Sequence, residues 1–375
     1  MHICMVTSDY PPKLSGVGYY VHNLSMELTR KGHKITVVTR GSWKGQQRKY
    51  IEGISVYRLP FLPLYPFHVK LHEIFLTKAL KSLEPSLDVV HVHHPLSPIA
   101  HTSLPVVVTM HTIGLAQVSS VESIDFNSLV TKLSLNYVER RIEARTLHNA
   151  DIITSVSNKV AEEIQKYYGL DRNSVTIIGN AVDTEFFIPK QNESRDRAYV
   201  LYTGRLGYRK GLFDLVKSAV YVCHEHPEVS FVLTGEGPLE RSLKRLVEKM
   251  RLHNKFCFVG YVDKKDLLNY YQNATIYVLS SYYEGLATSL LEAMSSGLPV
   301  VATAIDANID VIDSGVNGIL VPLKAPQETA KAISKLLEDD DLREKIGRAA
   351  RKTIEKFYTW DKVAEKTLRC YESLI

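Results

Sequence analysis

Short apolar runs alternate along the chain with segments of helical periodicity. Residues 2–7 read as a buried strand, followed by a loop at 8–18 and a helix with Val21, Leu24 and Leu28 on one face. Gly32-His33 ends that helix, and residues 34–39 form a second strand. Further strands are predicted at 54–59, 88–92, 106–110, 151–156 and 175–178. Between them fall a helix at 69–83 carrying Leu71, Ile74, Phe75, Ala79 and Leu83, one long helix at 127–150, and a helix from Ser157 to Tyr168. The pattern then restarts, with strands at 199–202, 229–234, 256–260, 274–279 and 299–302 and one ending at Val321. Helices from Gln327 and Asp341 follow, and Tyr358-Thr359-Trp360-Asp361 opens the last one. Strand, loop and helix in repetition predict a doubly wound α/β architecture, in which ligands meet the loops at strand C-termini. A chain of 375 residues is long for one core, so two domains are expected. The polar stretch 189–197 reads as their linker.

One β-α-β stretch stands out. Between the strands at 274–279 and 299–302, Leu286, Leu290, Leu291 and Met294 recur at helical spacing, and Gly297 is a natural stop. Gly285, Thr288, Glu292 and Ser296 make a second stripe, small and polar, so Glu292 is expected to face a crevice rather than the core. Glu284 precedes the helix, whose first N–H groups, on Leu286, Ala287 and Thr288, favour an anion. A solvated Glu on an ordinary β-α-β unit is the plain alternative.

Composition narrows the class. A hydrophobic share of 45% with 23% charged residues is that of a soluble globular protein, and no apolar run reaches membrane-spanning length. The first residues start directly as a strand, without a signal-peptide pattern. Cys4, Cys223, Cys257 and Cys370 are dispersed, with no Cys-x-x-Cys pair, and read as reduced cytosolic thiols. The net charge of +5 gathers early: up to Lys81 there are 12 Lys and Arg against 4 Asp and Glu. Such a field could attract anionic headgroups, phosphorylated substrates or nucleic acid, although a solvated basic face is the plainer reading of it. With the aromatic loop at 60–67, the basic-apolar helix at 69–83 leaves a membrane-surface element open beside a core-facing helix.

Other chemistry can be sorted. Gly16-x-Gly18 lacks a third glycine, its loop is too long for the tight turn, and Arg40 stands where a ribose-binding acid is needed, which argues against NAD. No Walker sequence occurs. His91, His93 and His94 lack a fourth ligand at metal-site spacing, and strand alternation alone puts His91 and His93 on one face. His111 follows a strand end, where it faces either a crevice or the core. Arg205 and Lys210 share a glycine-bearing loop and suit a diphosphate, a planar fork for two oxygens and a point charge for another.

Together these segments resemble the retaining nucleotide-sugar glycosyltransferases of family 4, over nearly the whole chain. The matching residues are Glu284 and Glu292 with the Gly-x-Pro-Val-Val-Ala run, Gly204-Arg205-Leu206 then Lys210-Gly211, the Pro-Pro and glycine loop, Asn180 to Phe187, and the Trp360 helix. Ser15 stands in place of the first glycine of the pair, Ala181 replaces a usual glycine, and Asp306 to Asp310 departs from a glycine pair with Pro-Glu. The resemblance implies the GT-B fold, two Rossmann-like doubly wound parallel-sheet domains facing across a cleft. Residues 1–190 are then the acceptor side, 191–357 the nucleotide-sugar-binding side, and 358–375 a helix crossing back onto the first domain.

The implied activity is transfer of a sugar from a UDP- or GDP-sugar to a sugar, glycolipid or other hydroxyl acceptor, with no metal, cofactor or nucleic acid. It implies Arg205 and Lys210 on the leaving diphosphate, Glu284 near the sugar ring, Glu292 on the ribose hydroxyls and His111 on the sugar. Gly16 lets backbone approach phosphate and acceptor, Lys13 lies in the same loop, and Tyr261 meets the nucleobase through its backbone. Gly285, Leu286, Ala287 and Thr288 complete the donor loop. A cytoplasmic location follows, with peripheral contact of the basic N-terminal part on the inner membrane face left open. An epimerase, a phosphorylase or a non-catalytic nucleotide-sugar-binding protein on the same frame are the rival readings.

Overall fold

The computed structural model describes residues 1–12, 15–43, 45–62, 64, 68–94, 101–119, 140–190 and 198–375. Lys13, the N-terminal half of the helix expected at 127–150 and the linker stretch 191–197 lie outside them. The chain divides into two compact units, Met1–Asn180 with Trp360–Ile375, and Ala181–Thr359.

The first unit holds an eight-stranded sheet, ordered β3-β4-β2-β1-β5-β6-β7-β8. Its strands are β1 His2–Thr7, β2 Lys34–Arg40, β3 Gln47–Ile51, β4 Ile54–Leu59, β5 Val89–His94, β6 Val106–Met110, β7 Ile152–Ser155 and β8 Val175–Ile177. All neighbours run parallel except β3, an antiparallel edge on β4 that the apolar pattern gives no hint of. Its sequence Gln-Arg-Lys-Tyr-Ile is almost wholly exposed, as suits an edge strand. The second unit has six parallel strands in the order β11-β10-β9-β12-β13-β14. These are β9 Tyr199–Thr203, β10 Ser230–Thr234, β11 Phe256–Gly260, β12 Ile276–Leu279, β13 Val300–Thr303 and β14 Ile319–Val321.

Alternation explains why the second unit's central strands read as unbroken apolar runs. Val200, Tyr202, Ile276, Val278 and Val301 bury on one face of the sheet. Leu201, Tyr277, Leu279, Val300 and Ala302 bury on the other, against Leu290, Leu291 and Met294 of the helix Thr288–Ser295. Each such side chain contributes about 1.5–3 kcal/mol by leaving water. In both sheets the chain reverses its winding direction once, between β1 and β5 and between β9 and β12. At such a reversal two loops part from adjacent strand ends and leave a crevice.

Several expectations shift on contact with the structure. The helix His68–Leu83 buries Val69, His72, Leu76, Ala79 and Leu80, so its inward stripe is rotated from the one predicted and Ile74 is left 64% exposed. Ser15 earns its place over glycine as the N-cap of the helix Gly16–Arg30. Its Oγ accepts from the Gly18 N–H at 3.4 Å while donating to Asp9 at 2.9 Å. Ala181 is buried with ordinary backbone angles, the left-handed residue of that turn being Gly179 at φ +93°.

Candidate active site

The second unit's winding reversal brings together two loops that the sequence singled out separately. After β9 comes Gly204–Gly211, and after β12 comes Ser280–Ala287. They are stitched by Tyr282 N–H donating to the Arg209 carbonyl at 2.7 Å and Ser280 Oγ donating to the Lys210 carbonyl at 2.9 Å. Gly211 lies so close to Ser280 that a Cβ there would stand 1.9 Å from its carbonyl oxygen, and its φ is +62°. No other residue fits this crossing.

Across the seam, Lys210 Nζ donates to Glu284 Oε1 at 2.5 Å, and Ser281 Oγ donates to the same oxygen at 2.7 Å. Both Lys210 and Glu284 are buried. Burial alone raises the Glu284 carboxyl, but Lys210, then Arg209, and the bonds from Lys210 and Ser281 outweigh it and hold the group below the usual carboxylate range. The pair lies in a buried seam, with the Glu284 carboxylate ionised.

Arg205, on the same loop as Lys210, is exposed, and its guanidinium has no partner among the described residues. Gly285, Leu286 and Ala287 form the loop before the helix, which begins at Thr288, two residues later than predicted. Its first-turn N–H groups are accordingly those from Thr288 onward.

Glu292, eight residues after Glu284, is in a different state. It is buried rather than facing open solvent and takes one hydrogen bond, from Tyr271 Oη at 2.8 Å. Tyr271 thus covers one oxygen of this carboxylate, so the side chain is not openly solvated. Burial pushes Glu292 up to about 7, against smaller opposing effects of Tyr271 and Lys264. Tyr261 follows β11 and is 76% exposed. Asp306–Ile309 is one helical turn whose Asn308 is buried and donates to the Thr303 carbonyl at 2.8 Å. The departing segment thus packs beneath the end of β13.

In the first unit, Gly16 opens its helix with an ordinary φ and open space around its Cα. Its neighbour Gly18 is the tighter position, since a Cβ there would stand 2.6 Å from Asp9 Oδ2. His111 follows β6 and is buried, and burial with the neighbouring His94 holds its imidazole down to about 3. His91 is a core group: Nδ1 meets Tyr371 Oη at 2.6 Å and Nε2 meets Thr109 Oγ1 at 2.7 Å. His94 Nε2 meets Glu143 Oε1 at 3.0 Å. Glu143 also accepts from the Gly114 N–H at 2.9 Å and from Tyr168 Oη. These partners outweigh burial and hold Glu143 ionised. Among the described residues no three His, Cys, Asp or Glu side chains gather as metal ligands. No helix among them is long and apolar enough to cross a membrane.

Two family models match in tandem, Glycosyltransferase Family 4 over residues 14–186 and Glycosyl transferases group 1 over residues 183–353. The chain belongs to the group 1 glycosyl transferases. An uncharacterised glycosyltransferase of Methanocaldococcus jannaschii is 27% identical over 396 residues, covering 99% of this chain and 98% of that one. Among solved structures, sucrose-phosphate synthase of Thermosynechococcus elongatus superposes with a TM-score of 0.82 at 22% identity, covering 100% of this chain and 98% of that one. The Anabaena protein HepE, in complex with UDP and glucose, gives 0.73 at 17% identity over 99% of each chain. The fold of this glycosyltransferase is GT-B.

Four residues of this glycosyltransferase's rims carried no sequence assignment: Ser281, Arg209, Tyr271 and Glu143. Ser281 lay inside the stretch singled out, yet a serine two residues past a strand is too common to mark. Glu143 had one signal, an acid beside Ile142 and Leu147 in a segment of helical spacing.

Proposed function

We propose that the chain is a retaining transferase that moves a hexosyl group from a UDP- or GDP-sugar to a hydroxyl of a sugar, glycolipid or other alcohol, without a metal ion. The observation that carries this reading is the buried Lys210–Glu284 pair at the second unit's winding reversal, with Arg205 exposed on the same loop. HepE, of the same fold, holds UDP and glucose, which supports a nucleotide-sugar donor.

Transfer begins as the anomeric C–O bond ionises, leaving an oxocarbenium-like carbon and a diphosphate of growing negative charge. Arg205 supplies a two-pronged contact to that diphosphate, Lys210 a point charge, and the helix start at Thr288 a set of N–H dipoles. Lys210 and the helix start are held before the reaction, so neither costs reorganisation when charge appears, and Arg205 closes onto the diphosphate as the donor binds. Glu292 takes the ribose hydroxyls when ionised, and the backbone at Tyr261 meets the nucleobase. Gly285, Leu286 and Ala287 line the phosphates, Gly16 admits the acceptor and phosphate to the first unit's backbone, and His111 holds the sugar.

Glu284 orients the sugar rather than attacking it. Its Oε1 already takes two hydrogen bonds and its charge is held by Lys210, so it is a poor nucleophile, while Oε2 is left for a sugar hydroxyl. With no enzyme nucleophile, the departing phosphate removes the acceptor proton on the face it leaves, and configuration is retained.

The test is incubation with a panel of UDP- and GDP-sugars and simple acceptors, reading nucleotide release and the anomeric configuration of the product by NMR. The expected product keeps the donor's configuration, and EDTA leaves the rate unchanged. An inverted product contradicts the retaining pathway, and abolition by EDTA contradicts the metal-free one.

A further inference from the structure

The protons on the first unit's row of imidazoles can be assigned. His91 and His93 have ring centroids 4.1 Å apart, and His93 Nδ1 lies 3.3 Å from His111 Nε2. All three rings are buried. A hydrogen bond between two neutral imidazoles needs one nitrogen with a proton and one without.

The far side of His93 decides which is which. His93 Nε2 is buried with no hydrogen-bond partner among the described residues. A proton there leaves a buried N–H unmet, which costs about 1–3 kcal/mol and is rare in folded proteins. With the proton on Nδ1, only an acceptor lone pair goes unmet and the bond to His111 is still made. His93 therefore donates from Nδ1, His111 Nε2 accepts, and the proton of His111 sits on its own Nδ1. His111 Nδ1 has no partner among the described residues, nor is it among the buried atoms left unmet, so it is the accessible edge of the ring.

We propose that His93 is a positioning residue that fixes His111 in the Nδ1–H form, so that His111 meets a ligand only as a hydrogen-bond donor toward an oxygen lone pair. The inference rests on the reading that His111 contacts the transferred sugar, and it names the partner atom as an accepting hydroxyl or ring oxygen. Burial keeps all three rings neutral at neutral pH, His91 and His111 down to about 3 and His93 well below its ordinary value. A His111 so held is no general base toward the acceptor. Ring orientation is locked by Tyr20, edge-on to His111 at 4.7 Å and tilted against His93 at 5.6 Å, with Trp360 behind it at 5.3 Å.

The experiment is a two-bond proton–nitrogen correlation spectrum of the ¹⁵N-labelled full chain at neutral pH, without ligand, with His111 assigned through His111→Gln. The expected pattern for both His93 and His111 is a protonated Nδ1 and a bare Nε2. His93→Asp replaces the donor by an acceptor at the place of Nδ1. It should shift His111 toward the Nε2–H form and lower kcat/KM for the donor about tenfold, the size of one lost hydrogen bond. His93→Gln, which restores an amide donor, should recover part of that loss.

A protonated Nε2 on His111 in the unaltered chain overturns the proposal. So does a His93→Asp variant that keeps both the His111 pattern and wild-type kcat/KM. If His93→Asp does not fold, the wild-type spectrum alone decides. Failure of the chain to transfer sugar from any donor defeats the functional reading and leaves the ligand-free tautomer test standing.

Discussion

At the carboxyl ends of β5 and β6 the first unit buries His91, His93, His94 and His111, whereas at the ends of β9 and β12 the second unit buries Lys210, Glu284 and Glu292. The first rim meets the cost of burial largely by giving up charge. His91, His93 and His111 are held far below their usual range, and the carboxylate Glu143 is held ionised by three hydrogen-bond partners. The second rim keeps the charge of Glu284 and pairs it with Lys210. Within it Glu284 has a cation and a hydroxyl on one oxygen, while Glu292 has a single phenol and sits near 7. The lesson is that burial alone does not predict a group's charge; the number and type of its partners does. A rim of neutral donors suits an uncharged sugar, and a rim of fixed charge suits a leaving diphosphate.

The largest expected effect tests the pairing itself. Lys210→Ala strands the Glu284 charge in the seam, a loss of about 3–5 kcal/mol in unfolding free energy. It also removes a fixed cation from the diphosphate, lowering kcat by about two to three orders of magnitude. Urea unfolding and steady-state kinetics read the two separately. The double change Lys210→Met with Glu284→Leu should regain most of the stability and none of the activity. If it regains activity, the pair is structural only.

Arg205→Ala sharpens the contrast between a buried and an exposed cation. Because Arg205 is exposed and unpartnered among the described residues, melting temperature should not move, while transition-state stabilisation falls by about 2–4 kcal/mol. Unchanged turnover removes Arg205 from the mechanism.

Glu292 gives the pH dependence. Its folded pKa, about 7, lies above that of an unfolded glutamate, so the folded state prefers the protonated acid. The contribution of Glu292 to stability is therefore greatest at low pH and declines as pH rises from about 4.5 through 7, after which the loss is complete. Glu292→Gln removes the ionisable group and should raise stability at pH 8 by about 1–3 kcal/mol, with little change at pH 4.5. Donor KM moves the other way. In the unaltered chain it should rise as pH falls below 7, because the protonated acid cannot accept from both ribose hydroxyls, and the variant should show a high KM at every pH. A flat wild-type KM between pH 5.5 and 8 contradicts that role.

The smallest effect lies in the first rim. Tyr371→Phe deletes the bond to His91 and should cost about 1 kcal/mol of stability, with turnover unchanged.

Much of this was legible in the sequence, for identifiable reasons. Parallel strands buried on both faces leave continuous apolar runs, so those of both sheets were placed to within a few residues. The β3 edge was not, because an exposed antiparallel edge needs no apolar residues. The chemistry of Arg205, Lys210 and Glu284 was suggested by residue type and loop position, yet nothing in a one-dimensional pattern says that Lys210 and Glu284, 74 positions apart, share a hydrogen bond. That contact depends on the β9–β12 neighbourhood, which follows from strand order. For Glu292, helical periodicity assigned a face without saying what lies against it, and the phenol that meets one of its oxygens, Tyr271, comes from another helix. The spacing of His91 and His93 foretold a shared face, while the His93–His111 bond required β5 and β6 to pair, with His93 opposite Thr109.

Fixed charge on the second unit is proposed to recognise a diphosphate. That recognition is tested most directly by calorimetric binding of UDP, GDP, uridine and guanosine to the unaltered chain and to Lys210→Ala at neutral pH. One diphosphate should bind at least tenfold tighter than its own nucleoside, and most of this preference should be lost in the variant. Equal affinity for diphosphate and nucleoside in the unaltered chain, or a preference that survives the loss of Lys210 intact, contradicts it.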